Sequence, residues 1–243
     1  MIMLFSPRFR RLIRDRNGNV SIEVAFVFPI LVLMLGGVYQ LWQALNTSRQ
    51  VQIVADSIGQ MLSQNLTNTL ASNDLLFAAR ATPVLFPRVL ADTASKTGTD
   101  PWMQGIKLTI SSVVFSQSVT PTKANPSPPY DIAQVVWSFG SVPRPCATAP
   151  VTTVGGAVIK KVSDTATPSS TTLPTDVYQA GSAIVTDVEY EFKPSLWGNV
   201  LPLDITFKRS SYFQPRYLVS TDWMRYSPDT SDAYTKVCTQ GGF

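Results

Sequence analysis

The sequence predicts an α+β protein, in which an N-terminal transmembrane helix continues into an amphipathic helix that packs on an antiparallel β-sheet head. Three observations lead to this fold class. A long uncharged, apolar run follows a cluster of arginines near the N-terminus. Apolar residues then recur at helical spacing, and from about residue 105 they alternate with polar residues, as in a half-buried strand. The predicted segments are a basic cytoplasmic leader (1–18), a transmembrane helix (19–42), a helical segment (43–98) and a β-rich extracytoplasmic domain (99–243).

The basic leader holds all of the net charge of the chain. The 243 residues have a net charge of +4, and the five arginines and one aspartate of residues 1–18 already account for it. The rest of the chain has as many acidic as basic residues. Because a nucleic-acid-binding domain needs a basic face in its folded body, no nucleic acid is expected as a partner.

The apolar run from Val24 to Trp42 has the length of a membrane span. Its 19 residues carry no charge, and a spanning helix needs about 20 predominantly apolar residues. Arginines precede the run, and few basic residues follow it closely, Arg49 being the nearest. The positive-inside bias therefore predicts a single-pass protein of the inner (cytoplasmic) membrane, with a cytoplasmic N-terminus and a periplasmic or extracellular C-terminal domain. A cleaved secretory signal is the alternative, although its apolar core usually has only about 7–15 residues.

One acid and one proline stand out in this segment. Glu23 lies near the predicted cytoplasmic end of the helix, where free N–H groups and the positive end of the helix dipole favour an anion. An acid at a helix start needs no further role, so a purely structural interpretation of Glu23 stays open. A functional interpretation depends on the spacing of Glu23 from Gly18. Pro29 removes one helical hydrogen bond and is predicted to kink the membrane-spanning helix, which transmembrane helices tolerate.

The helical segment follows without a break. Its apolar residues recur at helical spacing: Val51, Val54, Ala55, Ile58, Met61 and Leu62. The membrane helix is therefore predicted to continue to about Leu66 and to pack its apolar stripe on the following domain. A second, shorter helix is predicted in "SNDLLFAARA", with Ser72 and Asn73 as candidate N-caps.

Four stretches predict the strands of the head: "IKLTISSVVF", "AQVVWSF", "AIVTDVEYEF" and "LDITFKRSSYF". In the third stretch, apolar residues and acids fall on opposite faces, which predicts a half-buried antiparallel strand.

The loops "SQSVTPTKANPSPP" and "SDTATPSSTTLPT" are rich in Ser, Thr and Pro, so they are expected to be exposed or mobile. Five aromatic residues are expected in a packed sheet core: Trp137, Tyr190, Trp197, Phe207 and Tyr212.

The two cysteines, Cys146 and Cys238, both follow the membrane segment. In an oxidising extracytoplasmic compartment an even pair predicts a disulfide, which would close a loop of 92 residues. Two buried free thiols are the alternative.

The sequence offers little to support an enzyme. It lacks histidine, the commonest general base and metal ligand, and it lacks a P-loop and a GxGxxG motif. No catalytic residue, metal or cofactor is therefore expected. A hydrolase with paired carboxylates stays open, because its acids can meet from distant positions.

The N-terminal segment "GNVSIEVAFVFPILVLMLGGVYQ" resembles the signature of TadE/TadG-like proteins, the pseudopilins of the tight-adherence (Tad) pilus, a type IV-like system. Glu23, Ala25, Pro29 and Gly36–Gly37 occupy the places of the family's glutamate, alanine, proline and glycines. The resemblance covers about 25 residues of the chain.

The resemblance implies a processing site between Gly18 and Asn19 and an assembly role for Glu23. A prepilin peptidase would cut after the glycine, and the glutamate would help subunits to join a filament. The major Tad pilin is very short, so this chain is implied to be a minor pseudopilin that contributes to pilus biogenesis and surface adhesion. Implied partners are the inner membrane, the peptidase, other Tad pilus subunits and the secretion machinery. The alternatives are an uncleaved membrane-anchored periplasmic binding or scaffold protein and an anchored hydrolase.

Overall fold

The computed structural model describes residues 18–147, 157–194, 204–218, 222–228 and 234–238, with side chains from residue 23 onward. The α-helices in this part of the chain are α1 (Gly18–Ser63), α2 (Ser72–Arg80), α3 (Thr82–Leu85) and α4 (Arg88–Asp92). The strands are β1 (Thr69–Ala71), β2 (Ile106–Ser116), β3 (Ile132–Gly140), β4 (Lys160–Val162), β5 (Thr172–Pro174), β6 (Ser182–Phe192), β7 (Ile205–Phe213), β8 (Arg225–Ser227) and β9 (Thr235–Val237).

The first helix, α1, is much longer than the apolar run that it contains. Its 46 residues correspond to about 69 Å of helix, measured along the path of the helix at a rise of 1.5 Å per residue. The apolar run and the amphipathic stretch form one helix, which ends at Ser63 rather than at about Leu66. An Asx turn follows, because the side-chain oxygen of Asn65 accepts hydrogen bonds from the backbone N–H and the hydroxyl of Thr67, at 2.9 and 2.8 Å. Such side-chain bonds compete with continued helix.

Contacts divide the described chain into two units. One contains residues 18–46 with 193–194, and the other contains the remaining described residues. The boundary falls within α1, so that residues 47–63 belong to the same unit as the sheets. In this second part of α1, four apolar side chains are completely buried: Val51, Val54, Ala55 and Ile58.

A five-stranded antiparallel sheet forms the centre of the second unit, with the strand order β7-β6-β2-β3-β9. All four predicted strands are present, as β2, β3, β6 and β7, with ends within two residues of the prediction. The antiparallel sheet of the predicted fold class is therefore confirmed. Two short parallel pairs, β1 with β8 and β4 with β5, lie outside this sheet.

A β-bulge interrupts β3 near its centre. The register between β2 and β3 shifts after Ser112 and leaves Val136 as an extra residue. The carbonyl of Val136 accepts a hydrogen bond from the backbone N–H of Cys238, at 2.8 Å. The bulge therefore supplies a backbone attachment for the end of β9.

Both faces of the sheet are covered at β6, although the alternation of its sequence predicted a half-buried strand. On one face, Ile184 and Tyr190 are buried, and the ring of Phe86 meets that of Tyr190 edge-on, with centroids 4.8 Å apart. On the other face, Ala183 and Val185 join an apolar cluster with Val113, Phe115, Ala133, Val135, Ile159, Leu173, Val177 and Cys238. The half-buried prediction is wrong for the first half of β6, because residues around β4 and β5 cover its second face.

The start of α2 does not use the predicted caps. The N-cap residue is Ala71, and its backbone N–H donates to the carboxylate of Asp74, at 3.2 Å. Ser72 is the first helical residue and is buried, with its hydroxyl 2.8 Å from that of Tyr226. The N-cap roles predicted for Ser72 and Asn73 are therefore wrong, and a tertiary hydrogen bond explains the position of Ser72.

The second Ser/Thr/Pro-rich loop also departs from the prediction. It contains β5, and Leu173 in that strand is completely buried in the apolar cluster. The expected exposure is wrong for this residue.

Among the aromatic residues assigned to the core, Trp137 and Tyr190 are buried, Phe207 and Tyr212 are half-buried, and Trp197 lies outside the described residues.

Candidate functional site

The residues predicted for processing and assembly lie at the start of α1. The helix begins at Gly18, and Asn19 is its second residue. Glu23 follows one turn later, with its side chain exposed. The five steps from Gly18 to Glu23 correspond to about 8 Å along the helix axis. The structure therefore places the predicted cleavage position and the carboxylate close together on one helix.

Pro29 lies inside α1 and does not end it. Because proline has no backbone N–H, the carbonyl of Ala25 lacks its usual helical donor four residues later. The neighbouring turns continue on both sides of the proline. The kink at Pro29 stays a prediction.

The first half of α1 exposes apolar side chains on every side. The four consecutive residues 32–35 are each 45–67% exposed, and at 3.6 residues per turn they point in four different directions. A helix that is apolar all round is either buried in a large core or spans a membrane. In the described part of the chain, α1 is the one helix that is long and apolar enough to cross a bilayer.

Cys146 and Cys238 form a disulfide, so the predicted bond is present. It joins the segment that follows β3 to the residue that follows β9, across 92 positions of sequence. Both cysteines lie against the apolar cluster on the second face of the sheet. The bond therefore connects a middle segment of the head to its C-terminal strand.

A buried ion pair lies two residues before the disulfide. Arg144 is completely buried, and its guanidinium donates to both carboxylate oxygens of Asp187 on β6, at 2.8 and 2.9 Å. Its remaining terminal nitrogen donates to the carbonyls of Ser170 and Thr172, each at 3.2 Å. The hydroxyl of Ser210 on β7 also donates to Asp187. This network joins four segments that are distant in sequence, and its charged groups are well partnered.

A cleft beside this ion pair is lined by charged side chains: Lys107, Asp187, Glu189, Lys208 and Arg209. Glu189 makes ion pairs with Lys107 at 2.8 Å and with Lys208 at 3.2 Å. The hydrogen bond from Lys107 holds the pKa of Glu189 below its ordinary value. The general acid of a glycoside hydrolase needs a raised pKa. Glu189 is therefore poorly suited to that role.

Sequence reasoning missed both Arg144 and Asp187. The sequence shows an arginine in a proline-rich loop and an acid on the polar face of a predicted strand. Neither pattern indicates which residue the side chain would pair with, and 43 positions separate the two residues. The pair forms only when the segment after β3 and strand β6 meet in the folded chain.

Comparison with known proteins adds no relative: no family model matches the chain, and no curated protein or solved structure matches it. In the described ranges, His, Cys, Asp and Glu side chains form no group of three or more that is arranged to hold a metal ion. The start of α1 combines a glycine, an exposed carboxylate and an exposed apolar surface, and these features make it the candidate functional site.

Proposed function

We propose that this protein is a minor pseudopilin of a Tad-type pilus, cut after Gly18 by a prepilin peptidase and held in the inner membrane by the first half of α1. The observation that carries the proposal is the arrangement at the start of α1. A glycine begins the helix, the exposed Glu23 follows one turn later, and an uninterrupted helix with an exposed apolar surface continues from there. In the proposed function, this arrangement supplies a cleavage position, an acid that pairs with a neighbouring subunit, and a packing surface, all within one helix.

Glu23 has a specific physical role in this proposal. Cleavage leaves an α-ammonium group on Asn19, about one helical turn from the carboxylate. Between apolar helices of a filament, an ammonium and a carboxylate are each costly alone and far less costly when paired. The Glu23 of one subunit pairs with the amine of its neighbour and so sets the axial register between them, as buried polar groups do in other helical assemblies.

The second half of α1 attaches the head by packing its apolar stripe on the sheet. Two observations support this packing. The hydroxyl of Ser211 on β7 donates to the carbonyl of Ala55, at 2.7 Å. A Cβ atom added at Gly59 would lie only 2.6 Å from the ring of Phe213. With this packing, the same helix serves as the membrane anchor and as part of the core of the head.

The head acts as a structural and interaction domain in the periplasm or on the pilus, where it contributes to pilus biogenesis and adhesion. The disulfide supports an oxidising compartment, since such bonds persist mainly outside the cytosol. The engagement of Glu189 and Asp187 with basic side chains gives no support to a paired-carboxylate hydrolase. The proposal therefore includes no catalytic activity and no cofactor.

The first experiment is intact-mass analysis of the protein extracted from native membranes. We expect a mature N-terminus at Asn19. An intact leader in cells with an active prepilin peptidase would contradict the proposal and would favour the uncleaved, membrane-anchored scaffold.

The second experiment replaces Glu23 with glutamine, which keeps the size of the side chain and removes its charge. Breaking a buried ion pair costs about 3–5 kcal/mol, so we expect Glu23→Gln to reduce incorporation into sheared pili by at least about tenfold. Membrane insertion and cleavage should be unchanged. The matched variant Glu23→Asp keeps the charge and should assemble better than the glutamine variant. Equal assembly of wild type and Glu23→Gln would remove the assembly role.

A further inference from the structure

The apolar run of α1 ends in a small cluster of aromatic and amide side chains. The rings of Tyr39 and Trp42 stack with centroids 6.3 Å apart and an interplanar angle of 27°. The side-chain amide of Gln43 donates a hydrogen bond to the hydroxyl of Tyr39, at 2.8 Å. Positions i, i+3 and i+4 are neighbours on a helix surface, so the three side chains form one patch. Tyr39 is 46% exposed and Trp42 is 60% exposed.

The distance along the helix places this patch one bilayer thickness from Glu23. The 19 residues from Val24 to Trp42 rise by about 28 Å, and the hydrocarbon core of a typical bilayer is about 30 Å thick. The nearest charged residues on the two sides of the run are Glu23 and Arg49. The patch therefore stands where an uncharged segment of membrane length ends.

The exposure of the run favours lipid over a protein groove as its surroundings. A groove covers one stripe of a helix, and the opposite face then carries polar residues. Here the consecutive residues 32–35 are all apolar and all about half exposed or more. Before the subunit enters a filament, a lipid bilayer is the medium that contacts every side of such a helix.

We propose that Tyr39, Trp42 and Gln43 bind the interfacial region of a phospholipid bilayer and thereby set the depth of α1 in the membrane. Trp and Tyr concentrate at this level because their rings contact the acyl chains while their polar atoms reach water and headgroups. Gln43 adds an amide beside the Tyr39 hydroxyl on the outer side of the patch. This inference rests on the membrane anchoring in the proposed function and adds the level at which the helix leaves the bilayer.

The test measures the depth of Trp42 by fluorescence quenching. The full chain is reconstituted into vesicles of phosphatidylethanolamine and phosphatidylglycerol that contain a lipid with a nitroxide quencher. The quencher is attached either near the glycerol end or near the methyl end of the acyl chain. The chain has five tryptophans, so the signal of Trp42 is the difference between wild type and Trp42→Phe. Trp223→Phe is the matched control in the second unit.

We expect the shallow quencher to reduce the Trp42 signal at least about twice as much as the deep quencher, since an interfacial indole lies near the glycerol level. The Trp223 difference signal should respond to neither quencher. Stronger quenching of Trp42 by the deep label would overturn the interfacial position while leaving the membrane anchor in place. Quenching of Trp42 by neither label would contradict the anchor itself, and with it the proposed function.

A second variant tests whether the patch sets the depth or merely lies there. The double substitution Tyr39→Leu with Gln43→Leu removes the polar atoms beside Trp42 and keeps the helix apolar. We expect the shallow-to-deep quenching ratio of Trp42 to fall, because the helix can then move further into the hydrocarbon. An unchanged ratio would show that Tyr39 and Gln43 do not set the depth.

Discussion

The first half of α1 and the unit that contains the sheet are stabilised in different ways. Leu33 in the first half is 54% exposed, whereas Val54 on the same helix is completely buried. The first half is held by hydrogen bonds between residues four positions apart and depends on its surroundings to cover its apolar side chains. The second unit covers its own apolar side chains and uses a disulfide and a buried ion pair to join distant segments. One continuous helix thus has an exposed apolar half and a buried apolar half, and substitutions in the two regions should have different consequences.

The largest difference is expected when the disulfide is removed. The double substitution Cys146→Ser with Cys238→Ser should lower the free energy of unfolding of the second unit by about 4–5 kcal/mol, because the 92-residue loop no longer restricts the unfolded chain. Urea unfolding of the detergent-solubilised full chain, followed by tryptophan fluorescence, measures this loss. The helical circular-dichroism signal of the first half of α1 should persist. A loss below about 1 kcal/mol would show that the native state is strained or that the unfolded chain is already compact.

The next largest effect is expected at Arg144. The substitution Arg144→Ala leaves the carboxylate of Asp187, whose side chain is 19% exposed, without its bidentate partner, and breaking a buried pair in this way costs up to about 3–5 kcal/mol. The same urea experiment measures the change.

The matched control for that substitution is Lys107→Ala. Lys107 pairs with Glu189 on the same strand as Asp187, but its side chain is 56% exposed, and exposed pairs contribute about 0–1 kcal/mol. Equal losses in the two variants would contradict a special contribution from the Arg144 pair.

Two glycines of α1 provide a direct comparison between the regions. A Cβ atom at Gly59 would lie 2.6 Å from the Phe213 ring, whereas a Cβ atom at Gly37 meets no atom within 4 Å. Gly59→Ala should therefore destabilise the second unit by about 1–3 kcal/mol through overpacking. Gly37→Ala should be neutral or slightly favourable, since alanine has the higher helix propensity. Thermal unfolding of both variants tests the contrast, and a neutral Gly59→Ala would show that Phe213 moves aside freely.

The smallest effect is the one expected when the pH is raised by a single unit above about pH 10. Burial raises the pKa of Tyr190, and its hydrogen bond to Asp92 adds to the rise. An unfolded tyrosine titrates near pH 10, so the unfolded chain releases its proton first when the pH increases above that value. The stability contribution is therefore complete below about pH 10 and is lost above it, by up to about 1.4 kcal/mol per pH unit for this group. Urea unfolding between neutral and alkaline pH measures the slope.

Tyr190→Phe is the control for this pH dependence. It should remove part of the alkaline loss and cost about 1 kcal/mol at neutral pH through the missing hydrogen bond. Burial also raises the pKa of Tyr178, to about 12, so part of the slope should remain. An identical alkaline slope in wild type and Tyr190→Phe would contradict the contribution of Tyr190.

Much of the secondary structure was predictable because its signals are local. The apolar run and the helical spacing after it predict α1, and alternation predicts the four longest strands of the sheet. The prediction did not extend to the three-residue strands β1, β4, β5, β8 and β9. Segments this short contain too few residues to show a period, and partners elsewhere in the chain hold them.

The predictable features of the candidate site and of the disulfide likewise depend on signals that the sequence shows directly. The sequence identifies Gly18, Glu23 and the apolar run, because their relation is a spacing along one helix. It also identifies the disulfide partners, because the chain has only two cysteines. The roles of Gly18 and Glu23 stay predictions.

The sequence by itself therefore determined the long helix, the main strands and the single possible disulfide within the chain. The tertiary structure alone decided that Arg144 pairs with Asp187, that Leu173 in a polar loop is buried, and that Ser72 bonds to Tyr226 instead of capping α2. The physical reason is the range of the interactions. Backbone periodicity is set by neighbours two to four positions apart, whereas these three contacts depend on segments that meet only when the whole sheet unit has folded.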